Sequence, residues 1–291
     1  MFDLLLARTF TLFYWFYKQI ANSNLRGLGR ALDLIRSEHI FEVRGRKFLF
    51  DPRVGRAYGL MIIGKWNEPE THNFLKHVIA GLEGEVTFVD VGASIGEFVI
   101  DMAACSKVVS VIAFEPQAES AEAIRKSCEA NGFQNIRIIR KIVANDRGDS
   151  LFLYDSKSPT SSHVVRRIGG DLRCGQHVAR ISRTTLDDEL REVAGKTIIL
   201  MDIEGEEYSA IQSGVEFIRK WKPLLIFEYN SISRASFDLN AVRNLLGPDY
   251  ITYRIRGDGG VDGNETNTWN MIAVAKSSDF FNVIHSLQYE G

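Results

Sequence analysis

Seven apolar runs constrain the fold of this chain more than any other feature. Most of them are continuously apolar rather than alternating: VTFVDV (86–91), VVSVIAFE (108–115), IRIIRKIVA (136–144), TIILMDIE (197–204), PLLIFEYN (223–230), YITYRIR (250–256) and WNMIAVAK (269–276). Continuously apolar strands are typical of a sheet covered on both faces. Helical spacing between most runs predicts parallel strands joined by helices. The sequence therefore predicts an α/β fold with a Rossmann-like, doubly wound, mostly parallel seven-stranded sheet.

Two intervals depart from the strand-helix alternation. Residues 257–268 have no helical pattern, which predicts that the last two strands form an antiparallel pair. Residues 155–180 are polar and rich in turn formers. A long irregular segment of this kind is often a lid or a binding loop, and the alternative is a solvated connection.

The first 80 residues form a predicted N-terminal cap, and residues 81–291 the main domain with a lid-like insertion at about 155–180. Within the cap, residues 2–36 are predicted to be helical, IFEVRGRKFLFD (40–51) alternates like a strand pair, and residues 70–82 have helical spacing.

Composition limits the class of protein. The 291 residues are 45% hydrophobic and 25% charged, as expected for a globular protein with a sizeable core. The formal net charge of −2 gives no signature of nucleic-acid binding. The three cysteines form no C-x-x-C pair, which favours a reducing compartment and a cytoplasmic location.

The segment DVGASIG places a glycine-containing turn after the first of these runs. Asp90 ends the run, Gly92 and Gly96 are four residues apart, and Glu115 ends the next run. A dinucleotide site would have G-x-G-x-x-G, and the middle glycine is missing here. A carboxylate at the second strand end can accept both hydroxyls of a ribose. A ribose without phosphates, joined to a cationic amino acid, describes S-adenosylmethionine; the alternative is an ordinary turn beside a surface acid.

Five segments together resemble the successive motifs of the FkbM family of S-adenosylmethionine-dependent methyltransferases. They are FVDVGASIGEF (88–98), IAFEPQ (112–117), IVANDRGDSLFLY (142–154), TTLDDEL (184–190) and ILMDIEGEEYSAIQSG (199–214). The similarity covers roughly residues 64–230, including GKWNEPE (64–70). Ser94 stands where the family commonly has asparagine.

The resemblance implies a class I methyltransferase sheet and O-methylation of a hydroxyl on a sugar, glycan, glycolipid or natural product. It implies that S-adenosylmethionine binds at the carboxyl ends of the first strands. The backbone of Ala93 and Ser94 is expected to face the methionine carboxylate, and Val143 and Ala144 to border the adenine. The remaining cofactor-binding candidates are Asp90, Gly92, Gly96, Glu115 and Pro116.

Methylation of an aliphatic hydroxyl requires a group that removes its proton. Asp202 and Glu228 end neighbouring strands and are the leading candidates, and His163 is a third because imidazole titrates near neutral pH. Glu204 is predicted to cap the turn at Gly205. Asp202, Glu204 and Glu228 could instead converge on a divalent metal, for which carboxylates favour magnesium or calcium.

Asp187 and Asp188 precede a predicted helix and are interpreted as its N-caps.

Other functions and partners remain open at this level. Alternatives to the O-methyltransferase are a nucleotide-sugar or dinucleotide oxidoreductase, an RNA methyltransferase and a non-catalytic binding module. Residues 2–20 are rich in aromatic side chains, and residues 26–56 carry eight lysines or arginines against four acids. This pattern predicts either a helix packed on the sheet or in a homodimer, or peripheral contact with the inner face of a membrane.

Overall fold

The computed structural model describes residues 34–59, 61–155, 163–165, 176–266 and 269–288. The predicted helix at 2–36 lies almost entirely outside these ranges, as do residues 156–162 and 166–175 of the predicted lid. Among the described residues, no helix is both long and apolar enough to cross a membrane.

The described residues form strands that alternate with short helices. The strands are β1 (His39–Val43), β2 (Arg46–Phe50), β3 (Val86–Val91), β4 (Val108–Phe114), β5 (Ile136–Ile139), β6 (Ile142–Val143), β7 (Gly148–Asp155), β8 (His163–Val165), β9 (Gln176–Thr184), β10 (Lys196–Met201), β11 (Leu224–Glu228), β12 (Tyr250–Ile255), β13 (Val261–Asp262) and β14 (Asn270–Ala275). The α-helices are α1 (Pro69–Gly81), α2 (Glu97–Ala103), α3 (Ala118–Asn131), α4 (Leu186–Glu189), α5 (Glu207–Ser213), α6 (Val215–Trp221), α7 (Ser231–Ser236), α8 (Leu239–Leu246) and α9 (Phe280–Ser286). Two short 3-10 helices occupy Pro52–Tyr58 and Met61–Ile63.

The central sheet has the order β13-β12-β14-β11-β10-β3-β4-β5. The pairs from β11 to β5 are parallel, whereas β14 is antiparallel to both β11 and β12. The predicted mostly parallel sheet and its closing antiparallel pair are therefore confirmed, and the two-residue β13 adds an eighth strand at the edge.

Both faces of this sheet are buried, as the continuous apolar runs predicted. Successive residues of β10 enter different apolar clusters: Ile198 and Leu200 pack with α2 and α3, and Ile199 and Met201 with α5, α6 and α8. The helices therefore lie on opposite sides of the sheet, which is the doubly wound arrangement.

A second sheet, of order β6-β9-β7-β8, corrects two expectations. The apolar run at 136–144 is not one strand, because β5 ends at Ile139 and β6 pairs with β9 in the second sheet. Residues 176–180 of the predicted irregular interval belong to β9, which pairs antiparallel with β7. An antiparallel strand with a solvated face carries many polar residues, and for that reason the sequence resembled a loop.

The described part of the N-terminal cap shares its core with the main domain. Arg44 and Gly45, both with positive φ, form the tight turn between β1 and β2. The edge of β2 is joined to α3, because the Leu49 N–H donates to Ser127 Oγ at 2.9 Å. Phe48 and Phe74 belong to the same apolar cluster as Phe88 of β3.

Gly92 allows the ends of β3 and β10 to lie in contact. Its φ is +93°, and an added Cβ would lie 2.1 Å from the carbonyl oxygen of Asp202. The Asp202 N–H donates to the Val91 carbonyl at 3.0 Å, which fixes the two strand ends together. Only a residue without a side chain fits at this position.

We expect Gly92→Ala to lower the free energy of unfolding by roughly 3 kcal/mol or more, through a left-handed backbone penalty plus a clash with backbone that cannot move away. Gly132→Ala is the matched control. Its φ is +73° but no atom lies within 4 Å of an added Cβ, so the loss should be only about 1 kcal/mol. Urea denaturation measures both, and equal losses would contradict a role for the Asp202 contact.

Candidate functional site

A cleft of about 700 Å³ opens at the carboxyl ends of β3, β4, β10 and β11. In a doubly wound sheet this edge is where ligands bind. Gly92, Ser94, Glu115, Pro116, Val143, Asp202 and Glu228 all line it, so seven of the predicted site residues are brought together. Phe152 of the second sheet and Asn67 and Glu68 of the cap complete its walls.

Glu115 is held in place by the backbone around it. One carboxylate oxygen accepts the Ser94 N–H and the other accepts the Gln117 N–H, each at 2.7 Å. Burial raises the pKa of Glu115 to about 7, although the two N–H groups oppose the shift. Since a carboxylate oxygen has two acceptor sites, each oxygen retains one for a ligand hydroxyl.

The backbone N–H groups in the turn after β3 form hydrogen bonds that the sequence analysis did not predict. The N–H groups of Gly92 and Ala93 both donate to the Phe114 carbonyl at 3.0 Å, and that of Ser94 bonds to Glu115. The Ala93 and Ser94 donors expected to face a methionine carboxylate are therefore engaged within the protein. Gly96 is the N-cap of α2, and an added Cβ there would lie 2.9 Å from the Ile124 side chain.

Asp90 lies behind the cleft and is not among the residues that line it. Its side chain is buried, and Oδ2 has no hydrogen-bond partner among the described residues. Burial raises the pKa of Asp90 well above its ordinary value, and the negative charges of Asp202 and Glu115 add to the shift. Asp90 therefore retains a proton more readily than an exposed aspartate.

Asp202 and Glu228 form a carboxyl pair at the ends of β10 and β11. Burial, followed by repulsion from Asp202, raises the pKa of Glu228 to about 9. Burial also raises the pKa of Asp202, and a hydrogen bond from Glu228 acts in the opposite direction. Near neutral pH, Glu228 therefore holds a proton.

The turn that follows Asp202 is capped by Glu207 rather than by Glu204. Glu207 Oε1 accepts the N–H of Ile203 at 3.0 Å and that of Gly205 at 3.2 Å. Glu204 has a φ of +55° and its side chain lines the cleft.

Glu68 is a cleft residue that the sequence analysis missed. It precedes Pro69 at the start of α1 and accepts hydrogen bonds from Asn270 Nδ2 at 2.5 Å and Thr71 Oγ1 at 3.1 Å. Burial, then the charge of Asp202, raises the pKa of Glu68 to about 8. The GKWNEPE segment was the available signal, but its acids looked like ordinary residues of a helix start.

A buried histidine supports this wall of the cleft. His72 lies between the rings of Trp66 and Phe98, with centroid distances of 4.5 and 4.3 Å. Nδ1 is 2.8 Å from Asp101 and Nε2 is 3.1 Å from Glu97. Burial lowers the pKa of His72, but the two carboxylates outweigh it and the net shift is upward. Glu97 also accepts the Asn67 N–H at 2.8 Å, which ties the cluster to the cleft.

The other predicted residues have mixed placements. Pro116 and Val143 line the cleft, and the buried Ala144 donates its N–H to the Thr184 carbonyl at 3.0 Å. In β8, the backbone of His163 pairs with Leu153 of β7. The side chain of His163 lies outside what the structure describes.

The residues predicted to cap α4 act differently. Thr185 caps α4 by accepting the Asp188 N–H at 3.1 Å. Asp187 instead accepts the N–H groups of Glu216 and Phe217 at the start of α6. Asp188 pairs with Arg147 and Arg191.

In the described ranges, no group of three or more His, Cys, Asp or Glu side chains has an arrangement able to hold a metal ion. The acids of the cleft do not fit the metal hypothesis, and we derive no reaction step through a metal.

Comparison with known proteins gives one strong match. The methyltransferase FkbM domain matches residues 90–255, which is more than half of the chain. No curated protein sequence matches.

Similar solved structures include methyltransferase FkbM from Methylobacillus flagellatus KT (17% identity, TM-score 0.44, 85% of this chain and 58% of that chain). M. jannaschii TYW2 in complex with AdoMet is 16% identical with a TM-score of 0.42, and the match covers 82% of this chain and 85% of that chain. SMU.1697c from Streptococcus mutans in complex with SAH is 11% identical with a TM-score of 0.40, and the match covers 72% of this chain and 98% of that chain. The chain thus spans less than two thirds of the length of the Methylobacillus flagellatus protein. Sequence identities of 11%, 16% and 17% are too low to infer the substrate of this chain from these structures.

The raised carboxyl pKa values predict a stability that falls as pH rises. Between the ordinary glutamate value of 4.5 and about 9, the folded chain holds a proton on Glu228 that the unfolded chain has lost. The free energy of unfolding therefore decreases with pH across this window.

Glu228→Gln should make that decrease shallower throughout the window between 4.5 and about 9, as measured by urea denaturation. Glu192→Gln, at an exposed position, is the control and should follow the wild-type slope. A Glu228→Gln slope identical to wild type would mean that Glu228 titrates normally.

Proposed function

Because the chain belongs to the FkbM methyltransferase family, we propose that it transfers a methyl group from S-adenosylmethionine to a hydroxyl of a sugar, glycan or natural-product acceptor. The observation that carries the proposal is the Asp202–Glu228 carboxyl pair, which faces the same cleft as Glu115. One side of the cleft then suits a nucleoside, and the other suits removal of a proton.

Three features of the chain suit S-adenosylmethionine. Glu115 retains an acceptor site on each oxygen for the ribose hydroxyls. Phe152, Ile142 and Val143 give an apolar wall on the second sheet against which adenine can pack. The acids of the cleft favour the positive charges of the sulfonium and amino groups. When bound, the sulfonium supplies a methyl group that is already activated.

The carboxyl pair contains a group suited to removing the hydroxyl proton of the acceptor. Since burial raises the pKa of Glu228 to about 9, Glu228 holds a proton near neutral pH and Asp202 is the remaining candidate base of the pair. We assign it as the general base that takes the acceptor's hydroxyl proton during attack. Protonated Glu228 stays a donor and orients the Asp202 carboxylate, so that one residue reacts and the other positions it.

The charge of the cleft disfavours the alternatives. Its described lining holds seven acids and Lys141 as the single lysine or arginine; the acids are Glu68, Glu70, Glu115, Asp202, Glu204, Glu206 and Glu228. A dinucleotide or an RNA backbone brings several negative charges, which such a cleft would repel. A thermal-shift comparison of S-adenosylhomocysteine with NAD, and methyl transfer to RNA, test these alternatives directly.

We expect Glu115→Gln to weaken S-adenosylhomocysteine binding about 10-fold or more. The amide nitrogen replaces an oxygen that accepts both a backbone N–H and a ribose hydroxyl, and such charge-assisted bonds contribute about 1.5–3 kcal/mol. Isothermal calorimetry measures the affinity, with the exposed Glu192→Gln as the control. An unchanged affinity would remove Glu115 from the ribose site.

Variants of the pair should differ in activity. Asp202→Asn should lower kcat by about 10²-fold or more through loss of the base. Glu228→Gln retains a donor toward Asp202 and should cost less than about 10-fold, whereas Glu228→Ala should approach Asp202→Asn. Single-turnover methyl transfer with saturating cofactor separates these effects from binding. If Glu228→Gln is as inactive as Asp202→Asn, Glu228 is itself the base.

A further inference from the structure

Two exposed hydrophobic side chains line the cleft and define a small apolar surface there. Trp269 is 54% exposed, Ile232 is 48% exposed, and both line the cleft. They are two of the five large hydrophobic side chains that are exposed among the described residues. Exposed apolar groups that line the same ligand cleft can contribute to a binding surface.

Both residues are fixed beside the carboxyl pair. The Tyr229 N–H donates to the Trp269 carbonyl at 2.8 Å, one residue beyond the register pair Glu228–Asn270. The Ile232 N–H donates to Asn230 Oδ1 at 2.7 Å at the start of α7. The apolar surface therefore adjoins the end of β11, where Glu228 lies.

A polar atom next to this surface lacks a partner. Glu228 is only 3% exposed, yet its Oε2 has no hydrogen-bond partner in the ranges the structure describes. Because Oε2 is enclosed, a ligand hydroxyl would have to contact the part of the Asp202–Glu228 pair that lines the cleft.

We propose that Trp269 and Ile232 form an acceptor platform on which the apolar C–H face of a neutral pyranose ring packs, with a ring hydroxyl directed at the Asp202–Glu228 pair. A pyranose has an apolar face and a rim of hydroxyls, which matches an aromatic and aliphatic surface beside an acidic floor. The excess of acids over Lys141 selects against uronic acids and sugar phosphates. The inference rests on the proposed function and adds the acceptor's site and class.

Binding can be tested without turnover. Saturation-transfer NMR on the full chain loaded with S-adenosylhomocysteine would use methyl hexopyranosides as probes, with methyl glucuronoside and glucose 6-phosphate as anionic comparisons. We expect saturation of ring C–H protons with wild type and its loss in Trp269→Ala. Trp269→Phe, which keeps an aromatic face, should retain part of it.

Ile232→Ala should weaken the signal, whereas Ile40→Ala should not. Ile40 is a matched control because it is 52% exposed on β1 and does not line the cleft. Unchanged S-adenosylhomocysteine affinity in Trp269→Ala would show that the variant is folded.

Turnover separates this inference from the proposed function. With the glycoside that is methylated fastest, Trp269→Ala should raise the acceptor KM roughly 3- to 10-fold, in the range one aromatic contact supplies, and leave kcat nearly unchanged. Glycoside binding that depends on Trp269 but gives no methylation supports the platform and contradicts the proposed transfer. Methylation with an unchanged KM in Trp269→Ala, stronger binding of the anionic probes, or no glycoside binding at all overturns the platform.

Discussion

The close contact between the ends of β3 and β10 is the constraint on which the site depends. With glycine at position 92, the turn after β3 lies against the Asp202 backbone, and Asp202 bonds to Val91. One contact thereby places the turn that holds Ser94 against Glu115 next to the strand that carries the proposed base. Backbone rather than side chains thus sets Glu115 and Asp202, the residues proposed to bind the ribose and to remove the proton, relative to each other.

Burial of several acids in one place raises their pKa values and so affects which of them can hold a proton. Glu68, Asp90, Glu115, Asp202 and Glu228 all have raised pKa values, with burial as the leading cause. With pKa values of about 8 and about 9, Glu68 and Glu228 hold protons at neutral pH and can donate hydrogen bonds as well as accept them. Binding of a cation in the cleft would favour their ionisation, which couples ligand binding to proton release.

Sequence reasoning predicted best where burial was uniform. The runs at β3, β4, β10 and β11 are buried on both faces at their carboxyl ends, so their strand ends and acids could be located from the pattern alone. The sequence did not reveal β9, because one face of that strand is solvated and carries polar residues. It also did not reveal that Glu207 caps the turn after Asp202, because this cap depends on the path of the backbone through the turn. Glu68 was missed because its partner Asn270 is 202 residues away in sequence. Such a long-range contact leaves no local pattern.

The His72 cluster makes the N-terminal cap and the methyltransferase unit inseparable. Asp101 and Glu97 belong to α2 of the main domain, but their buried partner belongs to α1 of the cap. Removing one partner from a buried ionic cluster typically costs about 3–5 kcal/mol. A fragment beginning at residue 81 would keep Glu115, Asp202 and Glu228, yet it would lose one wall of the cleft and leave two acids uncompensated.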